Sequence, residues 1–228
     1  MMIYVLVFLL FLLLVYGPQL WINYVLNRYN RVPEDNFLGT GGELARHLLD
    51  RYELQSVKVE VTEFGDHYDP TARAVRLTKD KFEGKTLTAI TVAAHECGHA
   101  YQHAAAEPLF LMRTRLASRA VWAQRIGSLL LFAAPFSVLI TRLPSAAMLN
   151  ITGALLIMGF ALLVHLLTLP VEIDASFNKA LPLLSAGYLS EQQVPAARSI
   201  LRAAALTYVA ASLASLLNFW RWIALLRR

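Results

Sequence analysis

Four stretches of this chain are almost free of charge, and they organise the rest. No charged residue precedes Arg28, and Met2 to Tyr16 is a nearly unbroken run of Leu, Val, Phe and Ile. Further uncharged stretches lie between Arg125 and Arg142, between Arg142 and Glu172, and between Arg202 and Arg221. A hydrocarbon core about 30 Å thick needs about 20 residues of helix to cross it. The third stretch meets that length, and the first meets it once Gly17 to Tyr24 are included. The second and fourth are shorter and carry Pro135 or several Ser and Thr, so a buried core helix is the alternative for each. The pattern predicts three to four transmembrane helices.

The remaining polar regions show other periods. Residues 36–42 are turn-rich and end in a helix start, after which Glu43 to Leu49 has apolar residues at helical spacing. Val57 to Thr62 alternates apolar and polar, as does Arg73 to Thr78, with the turn residues Gly65 to Pro70 between them. The expected pairing of these two segments is a small antiparallel sheet. Thr86 to Ala106 is Ala-rich, contains no Pro and reads as one long helix. The chain is thus expected to be a membrane α+β protein, mainly α-helical. The expected layout is an N-terminal anchor (1–27), a long polar region (28–125), a transmembrane hairpin (126–169), a second polar segment (170–202) and a C-terminal transmembrane or interfacial helix (203–228).

Composition agrees with this division. Apolar residues make up 57% of the chain and charged residues 16%, against about 25% charged in an average soluble domain. No basic residue precedes the first apolar run and no small-x-small cleavage site follows it, so it reads as a retained anchor rather than a secretory signal. The net charge of +5 does not point to nucleic acid, because the basic residues are unevenly placed. Fourteen of the 21 lie from Arg28 to Arg125. Loops rich in Lys and Arg stay on the cytoplasmic side, where anionic lipid attracts them. Cys97 is the single cysteine, which excludes an internal disulfide framework.

The candidate chemistry sits in His95-Glu96-Cys97-Gly98-His99. Residues four apart on a helix are offset by about 40° and about 6 Å, so both imidazoles share a face and can bind one zinc ion. Glu96 lies about 100° round the helix from His95, where it can address a water rather than the metal. With six His and ten Glu in 228 residues, chance would produce this pattern about 0.007 times. The bland reading is a helix with two satisfied histidines and a surface Glu. Ala93, Ala94, Gly98 and Ala100 favour the metal, because they leave room for it and for a substrate backbone. Cys97 lies about 200° from His95 and reads as a packed thiol.

A catalytic zinc site needs a third protein ligand. His103 is eight residues beyond His95, about 12 Å along the axis, too far to share the ion; it is at best substrate-facing or a partner of a ligand. Glu172, in Leu169-Pro170-Val171-Glu172-Ile173-Asp174-Ala175-Ser176, is the better candidate. Two spans between residues 126 and 169 return the chain to the side of His95, and an acidic residue at a membrane boundary needs a reason. Its bland alternative is an interfacial carboxylate leaving the bilayer. Asp174 competes as ligand, or orients a histidine through its free N–H. His47, His67 and Glu107 remain possible without supporting spacing, and His165 reads as a buried polar contact.

The chain resembles the neutral zinc metallopeptidases of bacterial membranes. Three passages carry the resemblance: Gly65 to Pro70, Val92 to His103, and Leu169 to Ser176. More distantly it is similar to the gluzincins, notably the membrane heat-shock and prenyl-protein endopeptidases. In those relatives a Glu beyond two spans is the third ligand, which supports that role for Glu172. They carry an Asp four residues later, where this chain has Ser176, so the partner role of that Asp falls open to Asp174. The resemblance implies a zincin-like catalytic domain with one Zn2+ per chain, facing the cytoplasm in a multi-pass membrane protein. It also implies a polypeptide substrate, unfolded or membrane-proximal, with Arg73 to Thr78 as an edge strand that receives it, and His67 or Tyr68 as an oxyanion donor. The alternative from another class is a zinc-bound membrane scaffold or chaperone partner without turnover, against which the intact Glu96 argues.

Overall fold

The computed structural model describes residues 2–31, 37–207 and 209–210. Helix α1 (Met2–Asn30) runs unbroken through Pro18. α2 (Gly41–Arg51) begins where the sequence places a helix start, because Thr40 and Glu43 form a capping box. The Glu43 amide donates to the Thr40 hydroxyl (3.2 Å) and the Thr40 amide donates to the Glu43 carboxylate (2.7 Å), which satisfies two amides at the helix end. Strands β1 (Lys58–Thr62), β2 (His67–Asp69) and β3 (Ala74–Thr78) follow, then the short α3 (Lys79–Phe82), α4 (Leu87–Ala104), α5 (Pro108–Thr141) and α6 (Pro144–Ile173). A π-helical segment, Asp174–Ala180, leads into α7 (Leu181–Ser185), and residues 194–207 form helix α8.

The sheet corrects two expectations. Its strand order is β1-β3-β2, with β1 and β3 parallel and β2 and β3 antiparallel; it is mixed, not antiparallel. The reason is a second chain reversal. One turn at Gly65 (φ +88°) sends the chain into β2. The Asp69 carboxylate then accepts from the Thr71 and Ala72 amides and closes another turn. Two reversals restore the direction of β1. The Ala72 amide above all, then that of Thr71 and the Arg76 guanidinium, hold the Asp69 carboxyl below the usual carboxylate range against a smaller opposing effect of burial. Arg76 on β3 bridges Glu60 on β1 and Asp69 on β2. Consequently β3 is the central strand, with Ala74, Val75 and Leu77 all buried, and the outer strands are β1 and β2. Arg73 to Thr78 is therefore not an edge.

Two compact units divide the chain: residues 20–111 with 169–207, and residues 1–19 with 112–168 and 208–228. In the first, α4 is the central element. Ala89, Ile90, Ala93, Ala94, Cys97 and Ala100 of α4 are buried together with Leu44, Ala45, Leu48 and Leu49 of α2, the β3 residues, and Ala197, Ile200 and Leu201 of α8. Full burial of each large aliphatic side chain stabilises by about 1.5–3 kcal/mol. The start of α4 is fixed by Thr86, whose hydroxyl accepts from the Ala89 amide. Asn30 bonds Thr86 and Asp80, and the Thr88 hydroxyl donates to the Leu26 carbonyl. The helix ends at Ala104, two residues before the sequence suggests, and Ala106 takes a positive φ of 52°.

In the second unit, α5 starts well before residue 126 and carries Arg113, Arg115 and Arg119 on its first half and Arg125 just past its middle. Among the described residues, α5 is the one helix long and apolar enough to cross a membrane by length and composition, and Pro144–Ile157 is a shorter apolar stretch. That is one candidate helix against the three to four spans expected. Most of the C-terminal stretch 203–228, and the side chain of His165, lie outside the described residues.

Candidate metal centre

His95 and His99 project from the middle of α4, and Glu172 from the last turn of α6. All three are buried, at 3%, 4% and 0% exposure. One oxygen, Oε2 of Glu172, lies 3.3 Å from Nε2 of His95 and 3.1 Å from Nε2 of His99. The two imidazole rings stand 4.7 Å apart between centroids at 76°. Within the described residues this is a cluster of metal-binding type, with one ligand atom from each residue inside 4.8 Å.

The donor set fits a zinc ion. Two imidazole nitrogens and a carboxylate oxygen are a known catalytic zinc set. Donors about 2.1 Å from one ion at a tetrahedral angle lie about 3.4 Å apart, close to the separations seen here. The opposite ring nitrogens are engaged: Nδ1 of His95 lies 3.0 Å from the Ser176 hydroxyl and Nδ1 of His99 lies 2.9 Å from Oε1 of Gln102.

Glu96 is 6% exposed. Burial raises its carboxyl above the ordinary carboxylate range and the nearby Glu172 adds to this, while His95 and His99 oppose it. A carboxyl shifted upward is suited to passing a proton both ways.

Backbone approach brings the two halves of the centre together. At Gly98 a methyl group would stand 2.9 Å from the Ala175 carbonyl oxygen and 3.4 Å from the Ala175 carbonyl carbon and Cα, so only glycine lets α4 lie against the π-helical segment. Gly98→Ala is expected to push that segment away and cost about 1–3 kcal/mol, readable as a lowered urea midpoint of the detergent-solubilised protein.

The other candidates are distributed differently. Ser176 meets Nδ1 of His95 through its hydroxyl (3.0 Å), which also donates to the Leu201 carbonyl (3.3 Å). Asp174 does not touch a histidine directly, but reaches His99 through Gln102, whose Nε2 donates to Asp174 Oδ2 (2.8 Å) and to the Val171 carbonyl (3.0 Å). Sequence reasoning missed Gln102, though its place three residues after His99 on the same helix was a usable signal. His103 bonds the Tyr68 hydroxyl through Nδ1 (2.9 Å) and stands tilted 5.5 Å from the Phe110 ring. His67 bonds its own turn at the Gly65 carbonyl (2.8 Å). His47 meets Tyr188, and Glu107 pairs with Lys179; none of the four joins the cluster. The Cys97 thiol is buried and donates to the Ala45 carbonyl (3.5 Å), and burial pushes its pKa up.

The sequence model of a family described as "Putative neutral zinc metallopeptidase" matches residues 4–227. The chain belongs to that family. A Bacillus subtilis (strain 168) protein described as "Putative membrane protease YugP" is 35% identical over 187 residues, covering 81% of this chain and 79% of the relative. No solved structure matches. Membership covers the whole length that carries the centre, and it agrees with a metal at His95, His99 and Glu172.

Proposed function

We propose that this metallopeptidase-family member is a membrane-anchored zinc endopeptidase working at the cytoplasmic surface. In this reading His95, His99 and Glu172 hold one zinc ion and Glu96 moves the proton. The observation that carries it is the meeting of a single Glu172 oxygen with both Nε2 atoms, between residues 73 apart in sequence at the closer pair.

A zinc ion held by His95, His99 and Glu172 would supply a Lewis acid for the scissile carbonyl and lower the pKa of water. Glu96 accepts the proton of the water whose oxygen attacks the carbonyl carbon. It then delivers that proton to the departing amide nitrogen as the C–N bond breaks. Nδ1 of His95 is engaged by the Ser176 hydroxyl and Nδ1 of His99 by the Gln102 amide oxygen, which leaves Nε2 of each ring facing the metal position. The four side chains are between 0% and 6% exposed, so only a chain segment stripped of its own tertiary structure fits against them. That supports an unfolded or membrane-proximal polypeptide as substrate.

Anchoring follows from α5, with the hairpin 126–169 and residues 1–27 and 203–228 serving the bilayer. Residues 28–125 and 170–202 serve the chemistry. Arg113, Arg115, Arg119 and Arg125 on α5 support a cytoplasmic position for that end in this reading.

The purified full chain in detergent is expected to contain one zinc per chain and to cleave an unfolded reporter polypeptide. A chelator should stop cleavage and lower the melting temperature, and added zinc should restore both, because a ligand bound only by the folded state stabilises it. Stoichiometric zinc with no cleavage of any unfolded chain would give way to the scaffold reading.

A further inference from the structure

We infer that Gln102 decides which nitrogen of His99 faces the metal, and that Asp174 acts on the centre only through Gln102. The inference rests on the zinc reading of His95, His99 and Glu172.

Gln102 is 1% exposed, and both ends of its amide are used. On one side Nε2 meets two acceptors, the Val171 carbonyl at 3.0 Å and Asp174 Oδ2 at 2.8 Å. Neither acceptor can donate, so the NH2 group must face them. Turning the amide over would set Oε1 against two acceptor oxygens and forfeit both of these hydrogen bonds. The amide therefore has one orientation, and Oε1 faces Nδ1 of His99 at 2.9 Å. An amide oxygen only accepts, so Nδ1 of His99 carries the proton. Neutral His99 then has its lone pair on Nε2, the nitrogen 3.1 Å from Glu172 Oε2.

His95 reaches the same state by another route. The Ser176 hydroxyl gives its hydrogen to the Leu201 carbonyl and accepts from Nδ1 of His95. Two lone pairs and a carboxylate oxygen then converge, an arrangement that a bound cation would stabilise. The tautomers are set before any metal arrives, which is how outer partners raise metal affinity.

Gln102 has a second hold. The Val171 carbonyl belongs to the residue before Glu172, so one side chain fixes the presentation of His99 and ties α4 to the backbone carrying Glu172. Asp174 is in turn held by Asn178 (2.7 Å) and Lys179 (3.1 Å), and Lys179 by Glu107 (3.0 Å). This chain of bonds ends on the Gln102 amide and not on an imidazole. Gln102 and Asp174 are positioning residues, with no contact to the reacting atoms.

The test is a double-mutant cycle on zinc affinity, read by chelator competition on the detergent-solubilised full chain. Gln102→Leu should weaken zinc binding by about 10- to 100-fold. Asp174→Ala should give a smaller loss in the parent and no further loss in the Gln102→Leu background, because coupled residues are non-additive. The melting temperature of metal-free Asp174→Ala should stay near the parent's, a readout that a merely structural role would lower. Unchanged zinc affinity in Gln102→Leu would overturn the inference, as would an Asp174→Ala loss of equal size in both backgrounds. Should Gln102→Leu fail to fold, Asp174→Ala alone decides: undiminished zinc affinity overturns the inference. A parent that binds no zinc would defeat the reading of the centre itself, which is a different result from a zinc-binding parent indifferent to Gln102.

Discussion

Glu96→Gln is expected to keep its zinc and to lose peptide hydrolysis by about 10²- to 10⁴-fold, the usual worth of a positioned acid–base group. Gln has the shape of Glu but cannot take a proton from water or return one to the leaving nitrogen. Metal binding should survive, because Glu96 is offset on α4 from the face that His95 and His99 share. Removing the buried carboxyl also relieves the unfavourable burial that raises its pKa, so the variant should melt no lower than the parent. Zinc content by elemental analysis and turnover of an unfolded reporter are the two measurements. A Glu96→Gln protein as active as the parent would remove Glu96 from the reaction, and with it the mechanism.

Glu172→Gln should do the reverse and strike the metal. The ion loses its one anionic ligand, so zinc affinity should fall by more than the roughly 10- to 100-fold that outer partners are worth. Stability should move the other way. Without a metal, the parent buries a carboxylate against two imidazoles at 0% exposure, and an ionised group buried in that way is costly unless compensated. The amide of Gln is neutral and can donate to one of the Nε2 atoms. Metal-free Glu172→Gln is therefore expected to melt at or above the metal-free parent, yet to gain nothing when zinc is added. Thermal unfolding with and without zinc separates the outcomes. A variant that melts below the parent and still binds zinc tightly would make Glu172 a structural residue and leave the third ligand elsewhere.

The local elements were legible in the sequence for physical reasons that act over a few residues. Thr40 and Glu43 announce a helix start because the two side chains need only each other's backbone. His95 and His99 share a face because helical geometry puts them there before anything else packs. The same locality explains the errors. Alternation over Val57 to Thr62 and Arg73 to Thr78 reports which face of a strand is buried but says nothing of direction or neighbour. The short β2, His67–Asp69, supplied the extra reversal that made β1 and β3 parallel and put β3 in the middle. The π-helical segment had no signal of its own. Its wider turn, with the Leu181 amide bonded to the Ser176 carbonyl, comes just before Pro182, which cannot continue the α pattern to Asn178.

The shared face of His95 and His99 on α4 and the offset of Glu96 beside them are a property of the chain's own order, since four residues of helix suffice to arrange them. What brought Glu172 to them, turned Gln102 and Ser176 onto the far nitrogens and fitted Ala175 against Gly98 was packing between segments about 70 or more residues apart. A hydrogen bond or close contact of that kind depends on the whole path of the intervening α5 and α6, and no short-range periodicity records it. The sequence names the candidate groups; tertiary structure sets the partners and the distances at which they meet.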